Sequence, residues 1–145
     1  MLDLRKTSGG VRESGAFLLK KQSASRPRAS TYIRYDILDH AAYQGGAIAF
    51  HASGYAALWE HCRREKLELL ADIHAHPGRS VQQSPIDQRN PMVPFVGHTA
   101  LIVPNYAGTP WWSLKEVGVY EYLGGYNWRT YSGATQSAKI KLVLR

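Results

Sequence analysis

The stretch Leu69-Leu70-Ala71-Asp72-Ile73-His74-Ala75-His76-Pro77-Gly78-Arg79-Ser80-Val81-Gln82-Gln83-Ser84-Pro85-Ile86-Asp87 decides how the rest of the chain is read. Its first part is a short apolar run followed by two histidines and bounded by Pro77-Gly78, the pattern of a buried strand ending at a turn. Side chains alternate faces along a strand, so His74 and His76 share a face, about 6–7 Å apart along the chain, and can grip one metal ion. Ala75 then points the other way, into the core. The second part, Ser84-Pro85-Ile86-Asp87, has serine at an N-cap and proline at the first helical position. Asp87 falls in that first turn, where a carboxylate turned back toward the strand end is a third ligand for zinc. Two histidines and one carboxylate leave a fourth position for water, which separates a catalytic zinc site from a closed structural one.

Each half also has a plainer reading. A histidine after a strand is commonly a hydrogen-bonded loop residue, and Ser-Pro-x-Asp alone is an ordinary helix cap. Joined, they give His-x-His, seven residues, Ser, two residues, Asp. This pattern resembles the metal-binding signature of the JAMM metalloproteases, the catalytically competent branch of the MPN-domain family.

The resemblance implies an upstream glutamate acting as general base, in a context like Glu-x-Gly-Gly followed by aliphatics. Arg12-Glu13-Ser14-Gly15-Ala16-Phe17-Leu18-Leu19 stands at the expected place, departing at Ala16 where a second glycine is common. The plain alternative for Glu13 is a surface glutamate. In the implied mechanism one zinc per chain, held by His74, His76 and Asp87, acidifies its water, and Glu13 takes the proton and hands it to the leaving amine. Ser84 donates to the water or to the developing oxyanion, or serves only as the helix cap.

The implied activity is zinc-dependent hydrolysis after the C-terminal glycine of a ubiquitin-like protein, removing it from conjugates or processing its precursor. The implied partners are that protein or its conjugates, with E1-like and E2-like proteins of the same system, in a bacterial setting that includes antiviral defence. Alternatives are processing of a ubiquitin-like sulfur carrier and a non-catalytic MPN scaffold. The implied fold is α/β: an MPN/JAB-like, cytidine-deaminase-like sandwich of a curved mixed β-sheet, with one main helix and a short helix after the metal-ligand strand. It would span residues 1–145 as a single domain.

Composition bounds these expectations. With 145 residues the chain can bury a core without disulfides or a structural metal. The single Cys62 excludes a disulfide framework and fits a reducing cytoplasm. No apolar stretch of about 18 residues is present, so no membrane partner is expected. The net charge is +7, from 18 basic and 11 acidic residues, but the basic residues are scattered without interleaved aromatics. Nucleic acid is therefore not expected as a partner.

In chain order, strands are expected at Val11–Lys21 and Thr31–Leu38, with a further short one at Ala47–Phe50. A helix is expected over about 53–66 with Ser53 as N-cap, because Tyr55, Leu58, Trp59 and Cys62 recur at helical spacing. The ligand strand follows at Glu68–His76. Strands at His98–Pro104, Val117–Tyr122 and about 126–130 come next, with Gly124-Gly125 as a hairpin turn, and Ala138–Leu144 closes the sheet. His98 matches no slot in the motif and is read as structural or as a support to a ligand; His40, His51 and His61 read as solvated. Trp111, Trp112 and the loops 22–30 and 88–97 are candidates for substrate recognition.

Overall fold

The computed structural model describes residues 4–45, 47–108 and 114–141. They form helices α1 (Leu4–Ser8), α2 (Tyr35–Leu38), α3 (Ala52–Glu65), α4 (Pro85–Arg89) and α5 (Gly133–Lys139). The strands are β1 (Gly15–Lys21), β2 (Thr31–Arg34), β3 (Leu67–Ala75), β4 (Thr99–Val103), β5 (Gly118–Gly124) and β6 (Asn127–Tyr131). The strands make one mixed sheet in the order β2-β1-β3-β4-β5-β6. Among the described residues only β3 and β4 run parallel. The architecture is thus α/β, with helices gathered around a single sheet.

Strand alternation divides the sheet into two faces. Ala16, Ile73, Ala75, Leu101, Val103 and Val119 pack on one face with Leu4 of α1 and Ile140 after α5. Phe17 and Leu19 occupy the other, under Tyr35, Leu58, Cys62 and Val93. Helix α3 lies on that second face because Gly54, Leu58 and Cys62 recur every four residues and form its buried stripe. Leu58 is fully buried, and truncating such a leucine to alanine costs about 2–5 kcal/mol.

Several boundaries differ from the sequence reading, each for a local reason. The first strand begins at Gly15 rather than Val11, because Gly9 and Gly10 (φ 60° and 73°) turn the chain first. The second strand stops at Arg34, whose guanidinium pairs with Asp36 at 3.0 Å, and residues 35–38 coil so that Tyr35 enters the core. Residues 47–50 form no strand; Phe50 instead packs edge-on against Phe17 and Tyr55. Helix α3 is capped by His51, not Ser53, and the Asp39 carboxylate accepts from the His51 backbone N–H at 2.8 Å and meets its Nδ1 at 2.7 Å. His51 is therefore an anchored side chain and not a merely solvated one.

At the C-terminal end, Gly133–Lys139 is helical where a sheet-closing strand from Ala138 was expected. The Thr135 hydroxyl accepts the Ser132 backbone N–H at 3.1 Å and starts that helix. Residues 142–144, Trp111 and Trp112 lie outside the described residues. The hairpin at Gly124-Gly125 is present, with φ of 90° and 57° that glycine adopts without strain.

Candidate metal centre

The centre forms where β3 runs out. Pairing of Gly15 with His74, and of His74 with Ile102, locks the strand between β1 and β4. His76 lies one residue past the strand, yet its backbone stays fixed. Its N–H donates to the Val103 carbonyl at 2.9 Å, and its carbonyl accepts from the Tyr106 N–H at 2.8 Å. Tyr106 belongs to a left-handed turn over Asn105–Ala107 (φ 54°, 51° and 58°), a conformation costly for residues with a side chain. The rings of His74 and His76 project from the same face, and Ala75 is fully buried on the other.

Asp87 reaches them from α4. Ser84 and Asp87 form a capping box: Ser84 Oγ accepts the Asp87 N–H at 3.1 Å, and Asp87 Oδ2 accepts the Ser84 N–H at 2.7 Å. The same carboxylate faces the imidazoles. His74 Nε2 and His76 Nε2 are 3.1 Å apart, His76 Nε2 is 3.2 Å from Asp87 Oδ2, and His74 Nε2 is 3.5 Å from Asp87 Oδ1. Ligands about 2.0–2.1 Å from a tetrahedral ion stand roughly 3.3 Å from one another. The three side chains thus present donor atoms at the edge spacing of a tetrahedral site, and the residues present fit a bound metal ion.

Electrostatics agree with that arrangement. Burial pushes the Asp87 carboxyl up, but the hydrogen bond from His76 and the proximity of His74 outweigh it and bring the pKa to about 2. Asp87 is therefore an anion across the physiological range. The hydrogen bond to Asp87 raises His76 above the usual histidine value, against the opposing effect of burial, and the Ser80 backbone adds to the rise.

Glu13 sits in the extended segment ahead of β1. The Ala75 N–H donates to the Ser14 carbonyl at 2.9 Å, so continuation of the β1–β3 register puts Glu13 opposite His76. Burial raises its pKa, while His74 and His76 pull it down and Asp87 pushes it up. A half-buried carboxyl coupled to all three donors is placed to exchange protons beside them. Ala16 points into the opposite core and is fully buried, so its methyl does not face the centre.

One contributor escaped the sequence reading. In the sequence Asp72 reads as part of the apolar run, yet it is almost fully buried on the same face as His74. Its Oδ1 lies 2.7 Å from His98 Nε2, its Oδ2 accepts from the Tyr35 hydroxyl at 3.3 Å, and Oδ2 stands 4.0 Å from His74 Nδ1. Burial works to raise the Asp72 carboxyl, but the neighbouring His74 ring and the hydrogen-bonded His98 leave it below the ordinary range. The signal was available as Asp-x-His-x-His at strand period. His98 is accordingly a buried partner of Asp72, and no ligand.

The carboxylate side of the centre is held by β5 and β6. The Tyr120 hydroxyl donates to the Val81 carbonyl at 2.7 Å and Trp128 Nε1 donates to the Gln88 carbonyl at 3.1 Å. The loop 88–97 is continuous with this wall and exposes Phe95 and Val96. Loop 22–30, in contrast, follows the far end of β1, about 20 Å from Gly15 at strand rise. That distance removes it from the surroundings of the centre.

No protein-family model matches the chain. A curated relative, "Probable metalloprotease y4jG" of Sinorhizobium fredii, is 33% identical over 76 residues, which are 52% of this chain and 46% of that protein. The match thus spans about half of each. The solution structure of a Desulfitobacterium hafniense protein superposes with a TM-score of 0.59 at 14% identity, over 89% of this chain and 82% of that one. This second likeness concerns the fold alone. The chain carries a His–His–Asp cluster with the geometry of a metal centre, and over about half its length it is similar to a probable metalloprotease.

Proposed function

We propose that the chain is a zinc-dependent peptidase of the JAMM type, with an MPN/JAB-like fold, that cleaves the bond after the C-terminal glycine of a ubiquitin-like protein. The observation that carries the reading is the donor triangle of His74, His76 and Asp87 with Glu13 beside it. The partial likeness to a probable metalloprotease supports the general class of activity. The spacing of His74, His76, Ser84 and Asp87, and its resemblance to the JAMM signature, support the narrower one.

A bound zinc ion would supply Lewis acidity at the scissile carbonyl and bring water within reach of deprotonation at neutral pH. Glu13, its carboxyl already raised by burial, accepts that proton and returns it to the departing amine. Asp87 remains ionised throughout, and the capping box keeps its oxygens turned toward the imidazoles. Ser84 Oγ is engaged with the Asp87 N–H, so its main contribution is to fix that carboxylate. The substrate would be a ubiquitin-like protein or its conjugates, with E1-like and E2-like proteins as further partners.

The test pairs elemental analysis with cleavage of a fusion in which a ubiquitin-like protein ending in glycine precedes a reporter. One zinc per chain and chelator-sensitive cleavage are expected. In Glu13→Gln, turnover should fall about 10²–10⁴-fold with zinc content unchanged. Wild-type protein that binds zinc without cutting the fusion would remove the ubiquitin-like substrate; a Glu13→Gln variant of normal turnover would remove the base.

A further inference from the structure

The face of β3 that carries the two imidazoles carries a third polar side chain that the proposed chemistry leaves idle. Asp72 is 1% exposed, and three side chains from three separate elements converge on it. His98 comes from the segment just ahead of β4, with Nε2 at 2.7 Å from Oδ1. Tyr35 comes from α2 and donates its hydroxyl to Oδ2 at 3.3 Å. To reach it, the Tyr35 ring crosses Gly15, where a Cβ would come within 2.2 Å of Cε2. A glycine on β1 therefore makes room for the tyrosine that meets Asp72.

The remaining neighbour is His74 itself. Asp72 Oδ2 stands 4.0 Å from His74 Nδ1, on the edge of the ring away from Nε2. Nε2 points the other way, 3.1 Å from His76 Nε2 and 3.5 Å from Asp87 Oδ1. His76 has the Ser80 backbone as a hydrogen-bond partner besides Asp87. The two imidazoles are thus backed differently. A carboxylate that accepts a ring N–H fixes the tautomer and orientation of the ring and makes its other nitrogen a better donor.

Resting on the metal-centre reading above, we infer that Asp72 is a positioning residue for the metal: clamped by His98 and Tyr35, its carboxylate faces the Nδ1 edge of His74 at 4.0 Å, favours the proton on that nitrogen and so presents Nε2 to the ion. The clamp matters because a carboxylate free to rotate could not hold a ring in one plane. His98 holds Oδ1 and Tyr35 holds Oδ2, and the Oδ2 so fixed is the oxygen nearest His74 Nδ1. A purely structural role for Asp72 would require only that its own oxygens be satisfied, and it would leave the metal affinity of the folded chain unchanged.

The experiment loads metal-free wild type, Asp72→Asn, Tyr35→Phe and His98→Gln with cobalt(II). It records the visible absorption of the bound ion and measures affinity against a chromophoric chelator, with the metal-free melting temperature alongside. Asp72→Asn keeps the shape of the side chain and removes the charged acceptor, so it is expected to lose about 10–100-fold in affinity and to shift the cobalt spectrum. Tyr35→Phe, which loosens the clamp but leaves the carboxylate, should show a smaller loss in the same direction. Variants that fold, bind cobalt as tightly as wild type and keep its spectrum would overturn the inference, even if their melting temperatures fall. If Asp72→Asn does not fold, Tyr35→Phe and His98→Gln decide by the same two readouts. A wild-type chain that takes up no cobalt would overturn the metal-centre reading and this inference together.

Discussion

The two sides of the metal centre are built on different principles. His74 stands on a strand paired on both sides, and His76, one residue past its end, is bonded through its backbone to β4 and to the turn after β4. Asp87 stands on a five-residue helix with Ile86 exposed and none of its residues buried. A helix that short is not stable alone. What holds it is its capping box, Tyr120 gripping Val81 and Trp128 gripping Gln88. The comparison teaches that the histidines are placed by the sheet as a whole, whereas the carboxylate is placed by a few hydrogen bonds at a loop.

The largest expected effect attacks the weaker side. Asp87→Ala removes the proposed carboxylate ligand and half of the capping box at once, so metal affinity should fall by more than about 100-fold, beyond the loss of an outer hydrogen-bond partner. Competition with a chelator measures it. A variant that keeps one metal per chain at wild-type affinity would show that Asp87 belongs to the cap alone.

Next comes Ser84→Ala, which leaves every donor atom in place and removes only the cap. Losing an N-cap costs about 0.5–2 kcal/mol. Amide hydrogen exchange should therefore accelerate across residues 84–90 in metal-free protein and stay slow in β3. Equal acceleration in β3 would break the comparison by showing that the two sides open together.

The smallest effect is on pH. The hydrogen bond to Asp87 raises the pKa of His76 above its unfolded value, despite burial. In the metal-free chain this stabilisation is fully present below about pH 6.5 and is lost as pH rises through the folded value. Metal binding requires the neutral imidazole, so affinity rises over the same window. From pH 6 to 8 the metal-free melting temperature should drift down while the stabilisation by added metal grows. A drift of the same sign in both would exclude His76 as the group responsible.

The sequence exposed the sheet-borne side of the centre through period two and the loop-borne side through cap grammar, because both are local rules. Ser84, Pro85 and Asp87 need nothing beyond their own four-residue neighbourhood to form the box. Where packing between distant segments overrides local preference, the pattern misled. Thr31–Leu38 has strand composition throughout, but burying Tyr35 against Phe17 and Phe50 coils its second half. Asp72 was hidden for the same reason. Its worth depends on Tyr35 and His98, residues 37 and 26 positions away in the chain.

The parallel pairing of β3 with β4 also sets an order of events. Parallel neighbours cannot be joined by a hairpin; the chain must leave the end of one strand and return to the start of the next. Residues 76–98 make that return, and they carry Ser84 and Asp87 with them. β3 itself pairs with β1 across a longer stretch of chain, residues 22–66. Closing such loops costs entropy before any contact repays it, so non-local pairings form slowly. His74 and His76 are neighbours as soon as β3 is extended, but Asp87 joins them only once the crossover has closed. A refolding chain is therefore expected to gain its full grip on metal only when the crossover closes, and an ion present from the start would secure the closed crossover without speeding the pairing of β3 with β1.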